Sequence, residues 1–157
     1  MKTKKNIKLN LTDTERTNLR KQKVKIADLL DYAVDELEVM LEVSAGRAKE
    51  LYALADFQQV SSIGIEFAKD LISLGYYTVA SLANEDGAKL TDAYEKKKGY
   101  KTDVCVEDQF RLAVHVAKTH DYSKTWWDFT AERKQFRAEF GYPEDRPVLN
   151  WTDVIYQ

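Results

Sequence analysis

Along most of this chain apolar side chains recur at three- and four-residue spacing, the period of an α-helix packed on one side. Residues 1–9 come before that rhythm; they are polar and Lys-rich, and residues 1–11 read as a flexible basic arm. Thr12-Asp13-Thr14-Glu15 is a capping-box pattern, in which the Thr12 hydroxyl and the Glu15 carboxylate each accept the other residue's backbone N–H, and it predicts a helix over residues 13–22. A short helix is expected over residues 25–31. Another follows Asp35 and Glu36, whose carboxylates would sit at the positive end of the helix dipole. Leu37, Met40 and Leu41 share a face that Val43 closes, and the period resumes over residues 47–54. Phe67, Ala68, Leu71, Ile72 and Leu74 mark one more helix, stopped by Gly75 where a left-handed backbone is favoured. Residues 77–82 resemble residues 26–30, and the pairs Ile26/Val79, Leu29/Leu82 and Leu37/Leu90, each 53 residues apart, suggest a weak internal duplication. Residues 96–103 read as a loop, residues 104–118 as a long core helix, and the charged run up to Phe140 as a further helix. Gly141, Pro143 and Pro147 then break the pattern into an irregular tail containing Trp151, expected to fold back on the helical body.

Two stretches carry more than periodicity. A helix-hairpin-helix follows h-x-x-h-x-G-h-G-x-x-x-A-x-x-h-h, where h is apolar: the h positions pack two helices, the glycines allow a tight turn, and Ala sits where the helices cross. Residues 57–72 supply Phe57, Val60, Ile63, Gly64, Ala68, Leu71 and Ile72, with Ser62 in place of the first glycine. Shifted by twenty residues, 37–52 supply Leu37, Met40, Val43, Ala48, Leu51 and Tyr52, with Glu42 and Ser44 in the glycine slots. The expected fold is therefore all-α: a tandem helix-hairpin-helix (SAM-like) domain over residues 12–122, with a C-terminal extension over 123–157 packed on it.

Composition narrows the setting. With 44% hydrophobic and 32% charged residues the chain can bury a core, and two prolines with six glycines are too few for a loop-rich or disordered chain. The single cysteine, Cys105, allows no internal disulfide and fits a reducing compartment. Neither a signal peptide nor a membrane span is recognisable, so the expected location is the cytoplasm. The net charge of −2 conceals patterning: residues 1–25 carry nine Lys/Arg against two Asp/Glu, residues 26–56 two against eight.

From about residue 57 to residue 127 the sequence resembles the Cdd1-like "pathogenicity locus" family of small bacterial helix-hairpin-helix proteins. The residues carrying the resemblance are Val60-Ser61-Ser62-Ile63-Gly64, Ala68-Lys69-Asp70-Leu71, Leu74-Gly75-Tyr76, Asp103-Val104-Cys105, Arg111 with Ala113-Val114, and Trp126-Trp127. The resemblance implies a helix-hairpin-helix fold and a DNA-binding role. Ser62 departs from the family's usual glycine.

The chemistry expected of such a scaffold is phosphate contact through outward backbone amides at a helix N-terminus, which needs no base-specific side chain. The candidate DNA-phosphate-binding residues are Ser61, Ser62, Ile63, Gly64, Ile65 and Lys69, with Arg47 and Lys49 from the first hairpin. Glu66 and Glu42 oppose such contacts by charge. The Lys96-Lys97-Lys98 run with Lys101 and the N-terminal lysines are further basic segments, more often merely solvated. Cys105, His115 and His120 match no catalytic or metal-binding spacing, Asp103 is expected to cap the helix beginning beside it, and Trp126, Trp127 and Phe129 to be core. The reading is a non-catalytic, sequence-independent DNA-binding protein without metal or cofactor. The alternative is a protein-interaction module on the same scaffold, and an enzyme using Cys105 ranks last.

Overall fold

The computed structural model describes residues 6–155, and among them every regular element is helical. The protein is all-α, and no helix is long and apolar enough to cross a membrane. The chain divides into two compact units, residues 1–81 and 82–157. Residues 82–122 and the C-terminal segment from residue 123 fall in the same unit, and buried carboxylates of the first are paired with arginines of the second.

Unit 1 contains α1 (Asp13–Lys21), a 3-10 turn (Ile26–Asp31), α2 (Val34–Leu41), α3 (Ala45–Phe57) and α4 (Ile65–Ser73). The capping box of α1 forms as the sequence predicts, with Glu15 N–H on Thr12 Oγ1 at 3.1 Å and Thr12 N–H on Glu15 Oε1 at 2.9 Å. The core is made by the periodic positions: Leu37, Leu41, Ala48, Leu51, Leu54, Phe57, Val60, Ala68 and Leu71 are each fully buried. Asn18, inside the core, donates from Nδ2 to the Leu41 carbonyl at 2.8 Å and so caps the end of α2. Residues 1–5 of the expected arm lie outside the described residues. The remainder is not free: Ile7 and Leu9 are buried, and the Gln58 side-chain amide both accepts from Lys8 N–H (3.1 Å) and donates to Lys8 O (2.6 Å). Two alternating apolar residues are enough to anchor such a segment once a buried amide satisfies the backbone between them.

Unit 2 begins with Leu82, the last residue of a second 3-10 turn (Ala80–Leu82), and contains α5 (Gly87–Lys98), α6 (Val104–Thr119), a 3-10 turn (Trp126–Phe129), α7 (Thr130–Phe140) and the short α8 (Trp151–Ile155). The 3-10 turns at Ile26–Asp31 and Ala80–Leu82 each bury a leucine, Leu29 and Leu82, and each comes before a helix that buries Leu37 or Leu90. Residues 96–98 are not loop but the last turn of α5, where three lysines face the negative end of the helix dipole before Gly99 ends the helix at φ +79. The tail is held by backbone bonds: Lys101 N–H donates to Leu149 O and Trp151 N–H to Lys101 O, both at 2.8 Å.

Unit 2 departs from a purely apolar core. Glu95, Glu107 and Asp108 are at most 2% exposed. Arg146 bonds Glu95 at 2.8 Å, Arg111 and Arg137 bond Glu107 at 2.9 and 2.8 Å, and Arg133 bonds Asp108 at 2.7 Å. Burying such charges is tolerable only with this degree of pairing.

Candidate nucleic-acid interface

Two turns in unit 1 share one backbone conformation at a twenty-residue offset. Glu42 and Ser62, each filling the first glycine slot, stand in the left-handed region at φ +53 and +63. Two residues on, Ser44 and Gly64 are the extended N-caps of α3 and α4. Between them lie Val43, half-buried, and Ile63, 4% exposed. The left-handed geometry that glycine favours is kept without glycine, at a strain of roughly 1 kcal/mol per site.

The turns differ in what they leave open. At α3 the Ser44 hydroxyl accepts the Arg47 N–H at 3.1 Å, so the helix is capped from within. At α4 Gly64 makes no side-chain cap, and the first-turn amides of Ile65 and Glu66 have no helical carbonyl behind them. A Cβ built on Gly64 meets nothing within 4 Å, and its φ of −102 suits any L-residue. The fold thus asks for glycine at 62, where serine stands, and does not ask for it at 64. What the glycine at 64 provides is open space over the N-terminus of α4.

Of the residues singled out in the sequence, Ser61, Ser62, Ile63, Gly64 and Ile65 form this second turn, and Lys69 lies one helical turn further on. Lys69 Nζ is 3.3 Å from Glu66 Oε1 on the exposed side of α4, so the acid expected to oppose phosphate is itself partly neutralised. Lys49 is exposed on α3 with its ammonium over the Tyr77 ring at 4.1 Å. Arg47 is withdrawn altogether, because all five of its guanidinium N–H groups are used. They bond both oxygens of Glu15 (2.9 Å each), Glu50 (2.9 Å), the Asn10 carbonyl (2.8 Å) and the Asn10 side chain (3.4 Å). The signal for this was the Glu15 of the capping box, which the sequence showed as a cap alone.

This pair makes unit 1 acid-sensitive. Hydrogen bonds from Arg47 hold the Glu15 carboxyl below its ordinary range, outweighing burial. The native state then binds fewer protons than the unfolded one, so the stabilisation is present above the unfolded pKa and lost as pH falls through the lowered folded value. In Arg47→Met the acid-range loss is expected to shrink, alongside a neutral-pH loss of about 2 kcal/mol, below the fully buried figure because Arg47 remains a fifth exposed. Urea midpoints at about pH 7 and about pH 3.5 check this; an equal acid loss in both proteins would refute it.

The remaining candidates sit in unit 2. Lys96 pairs with Asp145 at 2.9 Å and Lys98 lies over Tyr94, so the lysine run is partly tied to its own surroundings. Asp103 caps α6 by accepting the Cys105 N–H at 3.0 Å. Burial first, then the Asp103 carboxylate, push the Cys105 thiol up to about 11, which keeps it protonated at neutral pH and runs against activation. His115 packs its ring on Phe129 at 5.3 Å, and His120 is the left-handed C-cap of α6. Among the described residues no three His, Cys, Asp or Glu converge as a metal site. Phe129 is buried, whereas Trp127 is 58% exposed and meets Trp126 edge-on at 5.4 Å.

A family model described as "pathogenicity locus" (Cdd1) matches residues 50–135, more than half of the chain. No curated protein and no solved structure matches it.

Proposed function

The chain belongs to the pathogenicity locus (Cdd1) family, and from that premise we propose that unit 1 is a tandem helix-hairpin-helix module whose second hairpin holds a DNA backbone phosphate, without catalysis and without regard to base sequence. The observation that carries this reading is the uncapped, sterically open N-terminus of α4 behind Gly64. Backbone amides there point toward a phosphate oxygen in the field of the helix dipole. The first hairpin keeps the packing of the second but has filled its own N-terminus with the Ser44 hydroxyl, so it serves as scaffold. Lys69 adds one cation, shared with Glu66. In this reading the protein works in the cytoplasm and needs neither metal nor cofactor.

Gly64→Asp separates function from fold. The new carboxylate caps α4 from within and leaves stability unchanged or raised by a few tenths of a kcal/mol, since nothing obstructs its Cβ. It also puts negative charge where the phosphate would lie, and duplex affinity at low salt is expected to fall about tenfold, roughly 1.4 kcal/mol. Fluorescence anisotropy with a labelled duplex reads this out. Unchanged affinity in a folded Gly64→Asp protein would remove the hairpin from the interface.

A protein-interaction module is the second reading, favoured by α2. There Val39 is 77% exposed among Asp35, Glu36, Glu38 and Glu42, a ridge that repels nucleic acid and suits a basic protein surface.

A further inference from the structure

The hairpin offers a single lysine, shared with an acid, which is little for a partner bound mainly through its phosphates. Unit 1 has a second cationic surface, where the sequence shows only a basic balance. Five of the protein's seven arginines bond or pair with a carboxylate: Arg47, Arg111, Arg133, Arg137 and Arg146. The other two, Arg16 and Arg20, are exposed, one helical turn apart on α1. Both border one cleft of about 180 Å³ whose other walls are Leu11, Leu19, Val24 and Ile26. No acid lines it. Two clefts of unit 2 mix signs: Lys96 and Arg146 with Asp92, Glu95 and Asp145 in one, Arg111 and Lys118 with Asp86 and Glu132 in another.

Local structure keeps the α1 face positive. Glu15, the acid nearest to Arg16 in sequence, is buried and bound through both oxygens to Arg47. Asp13, the exposed acid of α1, stands one turn before Arg16 and at the opposite end of the helix from Arg20, so the two arginines and the lysines after them outnumber it. At the end of α1 and just beyond it, exposed Lys21, Lys23 and Lys25 add further cations, with Lys23 in the left-handed region at φ +56 turning the chain. A cleft of one sign with low-dielectric walls focuses its field outward and concentrates counter-ions.

We infer that the Arg16–Arg20 face of α1, continued by Lys21, Lys23 and Lys25, is a docking surface for the phosphodiester backbone of nucleic acid. The inference rests on nucleic acid being the partner, as proposed above, but not on the hairpin being its contact. A polyanion crossing five exposed cations releases the counter-ions of the phosphates they neutralise, so this face is the main source of salt-dependent affinity.

The test is a salt titration of full-length protein against a labelled 20-base-pair duplex, with Arg16→Gln/Arg20→Gln and Gly64→Asp measured alongside. Losing two phosphate contacts is expected to flatten the slope of log K against log salt by about 2, and to weaken low-salt binding at least tenfold. The circular dichroism spectrum and thermal midpoint should stay unchanged, since neither side chain holds the fold. An unchanged slope in the arginine variant with loss of binding in Gly64→Asp overturns this inference and keeps the hairpin. The reverse pattern upholds the inference and removes the hairpin. A poly-glutamate chain of matched charge that competes as well as DNA would also overturn it, by making the face a site for acidic protein.

Discussion

Arg133→Ala is expected to cost about 3–5 kcal/mol, enough to leave unit 2 largely unfolded at physiological temperature. Arg133 is 7% exposed and Asp108 1%, and the carboxylate is held by Arg133 Nε at 2.7 Å and the Thr130 hydroxyl at 2.9 Å. Truncating the arginine strands a charge that water does not reach, with one neutral donor left. Most of the loss is therefore the penalty of the orphaned carboxylate, not the worth of the bond. Arg133→Met/Asp108→Leu, which removes both charges at similar volume, is expected to recover most of the stability. Denaturant midpoints of the wild type, the single and the double variant make the comparison. A double variant as damaged as Arg133→Ala would show that shape, not charge, governs this site.

Gly87→Ala should cost about 3 kcal/mol, the upper end of what an added methyl does in a packed interior. Gly87 is the first residue of α5, after the Asp86 N-cap, and a Cβ there would lie 2.8 Å from the Arg111 Cα and 3.0 Å from its backbone N. A side-chain tip could swing away, whereas helix backbone cannot, so α5 and α6 must separate. Gly64→Ala, at a glycine with nothing within 4 Å, provides the contrast and should leave the melting temperature nearly unchanged. Comparable losses from the two substitutions would mean that α5 and α6 are not in close contact at Gly87.

The fold was legible where it depended on period and caps. The Thr12 capping box, the faces built on Leu37, Leu51, Leu71 and Phe110, and the stop at Gly75 follow from local rules that act within four residues. The acid–arginine pairs of unit 2 do not. Glu107 and Asp108 sit side by side in a helical pattern that does not mark them as buried; Arg111 is four residues from Glu107, but Arg133 and Arg137 come 25 and 30 residues after the acids they bond. A signal existed in Arg133 and Arg137, one turn apart on α7 and matching two adjacent carboxylates on α6, but only three-dimensional packing brings the pairs together. The candidate site divides in the same way. The second turn was readable from its motif, whereas the capture of Arg47 by Glu15 is a contact across 32 residues that turns an apparent phosphate ligand into a structural strut. The segment around Ile7 and Leu9 was too short and too polar to show that a buried glutamine receives it.

The left-handed backbone at Glu42 and Ser62, neither of them glycine, bears on what such a scaffold demands of its sequence. At positions 42 and 62 the turn forms with a non-glycine residue beside buried Leu41 and Ile63. Lacking glycine there removes roughly 1 kcal/mol of a larger stability and does not remove the shape. The capping position two residues on is chemically independent of it: Gly64 leaves α4 without a side-chain cap, whereas Ser44 caps α3 with its own hydroxyl. The turn and the helix end are therefore separately adjustable: a single substitution at 44 or 64 fills or opens the helix N-terminus without touching the left-handed residue that shapes the turn before it.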